Sequence, residues 1–346
     1  MLFRSIEQKT YWKAIPYVPR MDYLSFFSGE TAFCMATEKA LELEVPRRAE
    51  WIRVIFQELA RIHSHLVFLG TGSVDLGGIA LLFYCFRARD EILDLFEMAC
   101  GARMHPRYCQ VGGVAEDLPA GFDKVARGKI AFMRDQLDQY DELIGANPIW
   151  GQRTKGVGIM SPEFAVQMGM TGPNLRASGI PIDLRSANGG YGAYRELGYT
   201  PVVEQDGDVH ARFRVRIEEM RASLDLIEKA LDGIPEGPVI TDDRKVALPP
   251  RHELHTSMES LIHHFKLVTE GFEVPAGEVY VPIESARGEF GFHLVSDGGA
   301  KPWRARLRGP AFVLLQSFPK LCEGAYLADL IAILASIDPV LGDVDR

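Results

Sequence analysis

Apolar residues that recur every three or four positions dominate this chain. This spacing places the apolar side chains on one face of an α-helix. It predicts helices over residues 25–43, 48–69, 79–100, 122–144, 211–231 and 326–336, and residues 6–12 resemble the inside of another. Ser161-Pro162-Glu163 predicts the start of a short helix that ends at Gly169. The fold is therefore predicted to be mainly α-helical.

Residues 278–308 show the alternation of apolar and polar positions that is typical of strands. Turns at Ala286-Arg287-Gly288 and Asp297-Gly298-Gly299 divide this stretch into three parts, so we predict a small antiparallel β meander. Its third strand would alternate Trp303, Ala305 and Leu307 with Arg304, Arg306 and Arg308. Such a basic face is more often solvated than functional. Residues 172–201, rich in Gly, Pro, Asn and Ser, predict a long irregular loop of the kind that is usually functional or contacts partners.

Residues 255–272 predict a helix with its own start and stop signals. Thr256 and Glu259 would form a capping box, and Gly271 would end the helix. The apolar face, which we expect to pack into the protein, consists of Met258, Leu261, Ile262, Phe265 and Val268. His263 and His264 suggest a metal site, but adjacent helical residues point about 100° apart and do not chelate one ion as an i, i+4 pair would. A solvated or interface-facing charged stripe is the favoured interpretation.

Composition narrows the possible functions. The chain has 346 residues and a formal net charge of −9, which argues against general nucleic-acid binding. No apolar run reaches the roughly 18 residues that span a bilayer, so we expect a soluble protein or one held at a membrane by partners. The five cysteines form no Cys-x-x-Cys pair and indicate neither a zinc nor an iron–sulfur site. No phosphate-binding glycine loop is present.

Five segments, in order along the chain, together resemble one family. They are Pro19-Arg20-Met21-Asp22-Tyr23-Leu24, residues 66–77, Gly101-Ala102-Arg103-Met104-His105, residues 256–271 and Gly342-Asp343-Val344-Asp345-Arg346. The family is the D-type subunit of NADH:quinone oxidoreductase, respiratory complex I, which is similar to the large subunit of nickel–iron hydrogenases. The likeness implies one hydrogenase-like domain over residues 6–346, with a helical core at about 24–271 and the β meander at about 278–308.

The resemblance also implies that an N-terminal β-rich part is missing. In relatives that part carries a Ser-Thr-His-Gly loop whose histidine faces the quinone head group. We therefore expect an N-terminally truncated chain in which residues 1–5 are foreign to the natural protein.

Hydrogenase large subunits hold nickel and iron with two Cys-x-x-Cys motifs, and this chain departs from that pattern. The C-terminal equivalent reads Asp338-Pro339-Val340-Leu341-Gly342-Asp343, without a thiolate for nickel. The resemblance implies that the former metal cavity has become a quinone pocket and that this chain holds no metal. Flavin (FMN) and the iron–sulfur clusters would lie in partner subunits.

The family's catalytic residues match Tyr23 and Asp75. By resemblance, Tyr23 hydrogen-bonds a quinone carbonyl and supplies a proton on reduction, a role that suits a phenol. Asp75 would pair with the missing histidine and couple its protonation to conformational change. Without the resemblance, Tyr23 would be interpreted as a packed core tyrosine and Asp75 as a helix-end or turn residue.

Arg20 and His105 match residues that lie near the terminal iron–sulfur cluster, which belongs to the neighbouring B-type subunit. There they would raise the potential of the cluster. Alone, they would be interpreted as a surface ion-pair residue and a hydrogen-bonded histidine. His63 and His65 are interpreted as structural.

The implied function is that of a peripheral-arm subunit on the cytoplasmic side of the bacterial inner membrane. With the B-type subunit it would form the chamber in which ubiquinone or menaquinone is reduced, and the C-type subunit and the H-type membrane-arm subunit would be neighbours. The isolated chain would not be active. Two alternatives stay open: a non-catalytic scaffold for the B-type subunit, and a component of a related membrane-bound hydrogenase or dehydrogenase.

Overall fold

The computed structural model describes residues 2–145, 147–186 and 189–345. Met1, within the segment predicted to be foreign, lies outside the described residues, as do Ala187 and Asn188 of the predicted loop. The first half contains α1 (Leu2–Glu7), α2 (Tyr11–Ala14), a 3₁₀ helix (Ile15–Arg20), α3 (Phe26–Leu41), α4 (Arg47–Asp75), α5 (Ile79–Cys100), β1 (Cys109–Gln110), β2 (Gly113–Val114), α6 (Phe122–Gly145) and α7 (Pro148–Thr154).

The second half adds the sheet and the remaining helices. These elements are α8 (Pro162–Gln167), α9 (Gly172–Arg176), α10 (Tyr194–Leu197), α11 (Val209–Gly233), a 3₁₀ helix (Arg251–His255), α12 (Met258–Thr269), β3 (Gly277–Ser285), β4 (Gly288–Ser296), β5 (Arg304–Arg308), α13 (Pro310–Leu321), α14 (Asp329–Ile337) and α15 (Leu341–Asp345). The predicted mainly helical fold with a small antiparallel meander is confirmed.

Helix α4 is the axis of the fold. Its 29 residues span about 43 Å, and nearly every side chain from Trp51 to Leu69 is buried. Helices α3, α5, α11 and α14 pack around it, and α6 covers α5 and α11. Glycines permit the close approach of neighbours near its end: a Cβ on Gly72 would lie 2.8 Å from the Phe213 ring of α11. A helix buried on all sides explains why the polar residues it carries need partners inside the protein.

The three-stranded sheet has the order β3-β4-β5 and is antiparallel throughout. Ser285 pairs with Gly288, so β3 and β4 are joined by a two-residue turn, Ala286-Arg287. The sheet packs on α3, where the rings of Phe33 and Phe292 are 5.4 Å apart. The predicted first turn and the strand alternation are thus confirmed.

Several local predictions were wrong. The N-cap of α12 is Ser257, whose side chain accepts a hydrogen bond from the Ser260 N–H, because Thr256 still belongs to the preceding 3₁₀ turn. Trp303 precedes β5 and is 70% exposed, whereas Ala305 and Leu307 are buried as predicted. Residues 6–12 do not form one helix, because the chain breaks between α1 and α2.

The apolar face predicted to pack inward on α12 is instead exposed. The side chains of Met258, Leu261, Ile262 and Phe265 are all exposed, with Met258 at 78%. Leu267 is the apolar residue of this helix that is buried. Gly271 does follow the helix, in a left-handed conformation (φ 84°) with its N–H on the Lys266 carbonyl. Periodicity identified the apolar residues of this face correctly, but it did not show that the face is exposed.

Candidate functional site

Tyr23 lies in the short connection between the first 3₁₀ helix and α3. Its side chain is 37% exposed, although Met21 and Asp22 just before it are buried. The next carbonyl, that of Leu24, accepts a hydrogen bond from His63 Nδ1 on α4 at 2.9 Å. The phenol therefore projects outward from a backbone that is fixed to the central helix.

The C-terminal segment closes over the same connection. A Cβ on Gly342 would lie 2.5 Å from the Met21 carbonyl oxygen and 3.1 Å from Tyr23 Cδ1. Any side chain at position 342 would therefore push these two segments apart. The segment is held in turn by Asp343, whose carboxylate accepts a hydrogen bond from the Ala311 N–H at 2.7 Å. The C-terminal motif and the Tyr23 motif, far apart in sequence, are in direct contact.

Asp22 and Asp338 are both bound by the buried guanidinium of Arg287. Arg287 Nη1 is 2.9 Å and 3.0 Å from the two carboxylate oxygens of Asp22. Its Nε lies 3.3 Å from Asp338 Oδ2. Burial raises the pKa of Asp338, while the positive charges of Arg287 and Arg216 oppose that rise. The C-terminal segment thus begins, at Asp338, in a carboxylate–guanidinium cluster.

His105 and Arg20 lie in the same region. Burial lowers the pKa of His105, and the positive charge of Arg20 lowers it further. The His105 ring and the His63 ring each lie 5.8 Å from the ring of Phe26. Arg20 is exposed, and its guanidinium donates to the Pro16 carbonyl of its own 3₁₀ helix. The structure therefore brings Tyr23, Arg20 and His105 into one neighbourhood.

Glu30 of α3 anchors the segment that carries His105. Its carboxylate accepts hydrogen bonds from the N–H groups of Arg107, Tyr108 and Cys109 at 2.7, 2.9 and 2.9 Å. Both His105 and Arg107 adopt left-handed backbone conformations, at φ 54° and 52°. Burial raises the pKa of Glu30 to about 7, although the three backbone hydrogen bonds act in the opposite direction.

Asp75 stands apart from this neighbourhood. It is the last residue of α4 and is exposed, twelve positions beyond His63. Twelve residues of α-helix span about 18 Å, so Asp75 and the Tyr23 connection sit at different levels of α4. The two residues predicted to be catalytic are therefore both tied to α4 but do not form one cluster.

His63 and His65 are fully buried on α4. Burial lowers the pKa of His63 to about 3 and that of His65 to about 4. His65 Nε2 lies 3.1 Å from Glu219 on α11. Both rings are neutral at physiological pH and join elements together, as their structural interpretation requires.

Sequence reasoning missed Arg287 and Glu30. Arg287 stands in what the pattern shows only as a turn, and Glu30 lies in an apolar helix where nothing marks its three N–H partners. The partners of Glu30 are at least 77 positions away in sequence, and the carboxylate partners of Arg287 are at least 51 positions away. Their function depends on tertiary contacts that no local spacing reports.

Two further properties bear on the chemistry. In the parts of the chain that the structure describes, no group of three or more His, Cys, Asp or Glu residues is placed to hold a metal ion. Across the same residues, no helix is both long enough and apolar enough to cross a bilayer.

Comparison with known proteins identifies the family. The family described as "Respiratory-chain NADH dehydrogenase, 49 Kd subunit" matches residues 75–346. The D-type subunit of the NADH-quinone oxidoreductase of Deinococcus radiodurans is 50% identical over 343 residues, which cover 99% of this chain and 85% of that protein. The D-type subunit of Thermus thermophilus is 49% identical, with 99% and 84% covered. A D-type subunit of Chloroflexus aurantiacus is 47% identical over 346 residues, again with 99% and 84% covered. The resemblance seen in the five sequence segments is thereby confirmed, and the chain belongs to the family of the 49 kDa subunit of respiratory-chain NADH dehydrogenase.

Proposed function

We propose that this chain forms, together with the B-type subunit, the quinone-reduction chamber of a proton-translocating NADH:quinone oxidoreductase. Family membership supports its place as a subunit of that oxidoreductase. The observation that carries the chamber proposal is the phenol of Tyr23, which is exposed next to buried Met21 and Asp22 on a backbone that is fixed on two sides. An exposed aromatic side chain on a rigid support is suited to contact a ligand.

In this proposal Tyr23 is the residue that touches the quinone head group. Two-electron reduction of a quinone places negative charge on its oxygen atoms, which then need a hydrogen-bond donor or a proton. A phenol supplies either. Because Met21, Asp22 and Leu24 fix the backbone around Tyr23, the hydroxyl group would meet the quinone carbonyl without a large rearrangement.

The other matched residues take supporting roles. Arg20 and His105 would face the terminal [4Fe-4S] cluster of the B-type subunit, with His105 held in its left-handed conformation by the Glu30 anchor. Asp75, exposed at the end of α4, would act at a separate level of the chamber, on the proton-coupled conformational change. NADH and flavin would be bound by other subunits, and contacts with the B-type, C-type and H-type subunits would hold this chain on the cytoplasmic side of the membrane.

Replacement of Tyr23 by Phe tests the proposal. In the assembled enzyme, Tyr23→Phe should nearly abolish quinone reduction, because it removes the donor hydroxyl but keeps the ring. Oxidation of NADH by an artificial acceptor should be unchanged, since it bypasses the quinone. Tyr326→Phe, at an exposed tyrosine of the segment before α14, is the matched control and should keep both activities. Full quinone reduction by assembled Tyr23→Phe enzyme would contradict the assignment.

Two alternatives are separated by further measurements. A scaffold for the B-type subunit would not be labelled near Tyr23 by a photoreactive quinone analogue, whereas a chamber wall would. A related hydrogenase would need thiolate ligands in the C-terminal segment, where this chain has Asp338 and Asp343. Metal analysis of the purified complex for nickel decides that second case.

A further inference from the structure

The turn between β3 and β4 buries a charged side chain that the proposed chemistry does not use. Arg287 is fully buried, and its guanidinium contacts carboxylates from two distant parts of the chain. A buried cation is costly unless it is paired with good geometry. Its partners therefore show what Arg287 holds in place.

The first partner is Asp22, the residue immediately before Tyr23. Arg287 Nη1 contacts both carboxylate oxygens of Asp22, at 2.9 and 3.0 Å. The same carboxylate accepts hydrogen bonds from the N–H groups of Leu24 and Ser25, at 3.3 and 3.1 Å. Asp22 thus ties the residues on the far side of Tyr23 to the buried guanidinium.

The second partner is Asp338, at the start of the C-terminal segment. Arg287 Nε donates to the Asp338 carbonyl at 3.1 Å and lies 3.3 Å from the carboxylate. Asp338 is held in a left-handed conformation, φ 52°, where helix α14 ends. Four residues later, Gly342 packs directly on the backbone of Arg20 and Met21 and on the Tyr23 ring. Arg287 therefore joins both segments that enclose Tyr23.

The turn that carries Arg287 is itself fixed. Arg61 of α4 donates to the carbonyls of Glu284 and Ser285 at 2.7 and 2.8 Å. On the other side, a Cβ on Gly172 would lie 2.4 Å from the Arg287 carbonyl oxygen, so the turn and the start of α9 are in close contact. The guanidinium consequently occupies one position relative to the central helix.

We infer that Arg287 is the positioning residue of the Tyr23 site: through Asp22 and Asp338 it clamps the two chain segments that set where the phenol points. The inference rests on the proposed function, in which Tyr23 contacts the quinone. Arg287 does not touch the substrate, because it is fully buried beneath these segments. Its effect on quinone reduction is expected to pass through Tyr23.

The test uses Arg287→Gln and Arg287→Lys in the assembled enzyme. Gln removes the charge, so we expect kcat/KM for a short-chain ubiquinone to fall roughly 10- to 100-fold, as small misplacements of reacting groups do. Lys keeps the charge but lacks the forked geometry that holds two carboxylates, so its loss should be smaller. NADH oxidation by an artificial acceptor should be unchanged in both. Where Arg287→Gln does not assemble, Arg287→Lys alone carries the test.

Arg53→Lys is the matched control. Arg53 is also a buried arginine in a two-oxygen pair, with Glu38, but it supports the β1–β2 hairpin and not the Tyr23 connection. Its substitution should leave the quinone kcat/KM within about twofold. An equal loss in Arg53→Lys and Arg287→Lys would show that any buried arginine matters, and would overturn the inference.

A double variant separates this inference from the proposed function. If Arg287 acts through Tyr23, adding Arg287→Lys to Tyr23→Phe should cause no further loss of the residual quinone rate, because the hydroxyl group that Arg287 positions is already absent. A full multiplicative loss would overturn the positioning role. A Tyr23→Phe enzyme with full quinone activity would instead remove the proposed function, whatever the Arg287 variants do.

Discussion

Among the residues that the structure describes, two networks of ion pairs differ mainly in burial: one lies in the interior and one on the surface. The interior network joins α4, α9, the nearby residues Asp183 and Arg185, α11 and β3. The surface ladder runs along the groove between α6 and α11. Both consist of arginines paired with carboxylates at similar distances, so their comparison isolates the effect of burial.

The interior network contains three arginines and four carboxylates, all at most 2% exposed: Arg61, Arg176, Arg185, Glu58, Asp183, Glu219 and Glu284. Arg176 Nη1 contacts both Asp183, at 3.0 Å, and Glu284, at 2.8 Å. Tyrosine and serine hydroxyls complete the coordination: Ser223 donates to Glu58 at 2.6 Å. Almost every charge has several partners.

The surface ladder consists of the same kind of arginine–carboxylate ion pairs, but these are exposed to solvent. Arg221 pairs with Asp138 at 2.9 Å and with Glu218 at 2.7 Å, and Arg134 pairs with Asp225 at 2.7 Å. These arginine side chains are 27% and 37% exposed, and Asp138 is 74% exposed. Water and salt compete for each of these charges.

The difference shows what each network does. Removing one member of a buried pair leaves an uncompensated charge and costs about 3–5 kcal/mol, whereas an exposed pair contributes about 0–1 kcal/mol. The interior network therefore fixes α9, Asp183 and Arg185 onto α4, α11 and β3. The surface ladder adds solubility and only a small local stabilisation of the two helices.

Arg185→Met should have the largest effect on stability. Arg185 contacts Glu58 at 3.1 Å and Asp183 at 2.7 Å, and it lies over the ring of Tyr199. Methionine fills much of the volume but removes one of the two arginines that Glu58 and Asp183 each contact in the interior. We expect the free energy of unfolding of the purified chain to fall by about 3–5 kcal/mol in denaturant titration. A fall below about 1 kcal/mol would place the interior network in the same class as the surface ladder.

Glu284→Gln should change how stability depends on pH. The interior network has one more carboxylate than arginines, and burial together with the negative charge of Asp183 raises the pKa of Glu284 to about 7. Burial alone would also raise the pKa of Asp183, but Arg185 and Arg176 lower it to about 2. Glu284 rather than Asp183 therefore holds the extra proton.

The direction of this pH dependence follows from the number of protons bound in the folded and in the unfolded chain. Between pH 4.5 and 7 the folded chain keeps a proton on Glu284, while the unfolded chain has released it, so this group stabilises the fold fully only below that window. Its contribution is lost as pH rises through the window, by up to about 3 kcal/mol. Glu284→Gln mimics the protonated form and should remove this slope. Unfolding titrations from about pH 4 to about pH 8 measure it, and identical slopes in both proteins would refute the assignment.

The difference between buried and exposed charges also explains which parts of the structure could be predicted from the sequence. Apolar periodicity predicted helices α4, α5, α6 and α11, because their apolar side chains make ordinary hydrophobic contacts with the core. The interior network was not predictable, since patterns assign charged residues such as Arg176 and Glu219 to the surface. The prediction for α12 failed for the opposite reason: the spacing of its apolar residues is that of a buried face, yet the face is exposed. Tyr23 was found only through its family motif, and Arg287 not at all, because its partners lie 51 and 265 positions away.

Arg221→Met repeats the arginine-to-methionine change on the surface ladder and should have the smallest effect. Arg221 shares Asp138, Asp141 and Glu218 with water, so we expect the free energy of unfolding to change by less than about 1 kcal/mol. The remaining difference should shrink further in about 1 M salt, where the screening length is about 3 Å. Denaturant titration at low and high salt, beside Arg185→Met, makes the measurement. A loss as large as that of Arg185→Met, and insensitive to salt, would mean that position in the network matters more than burial.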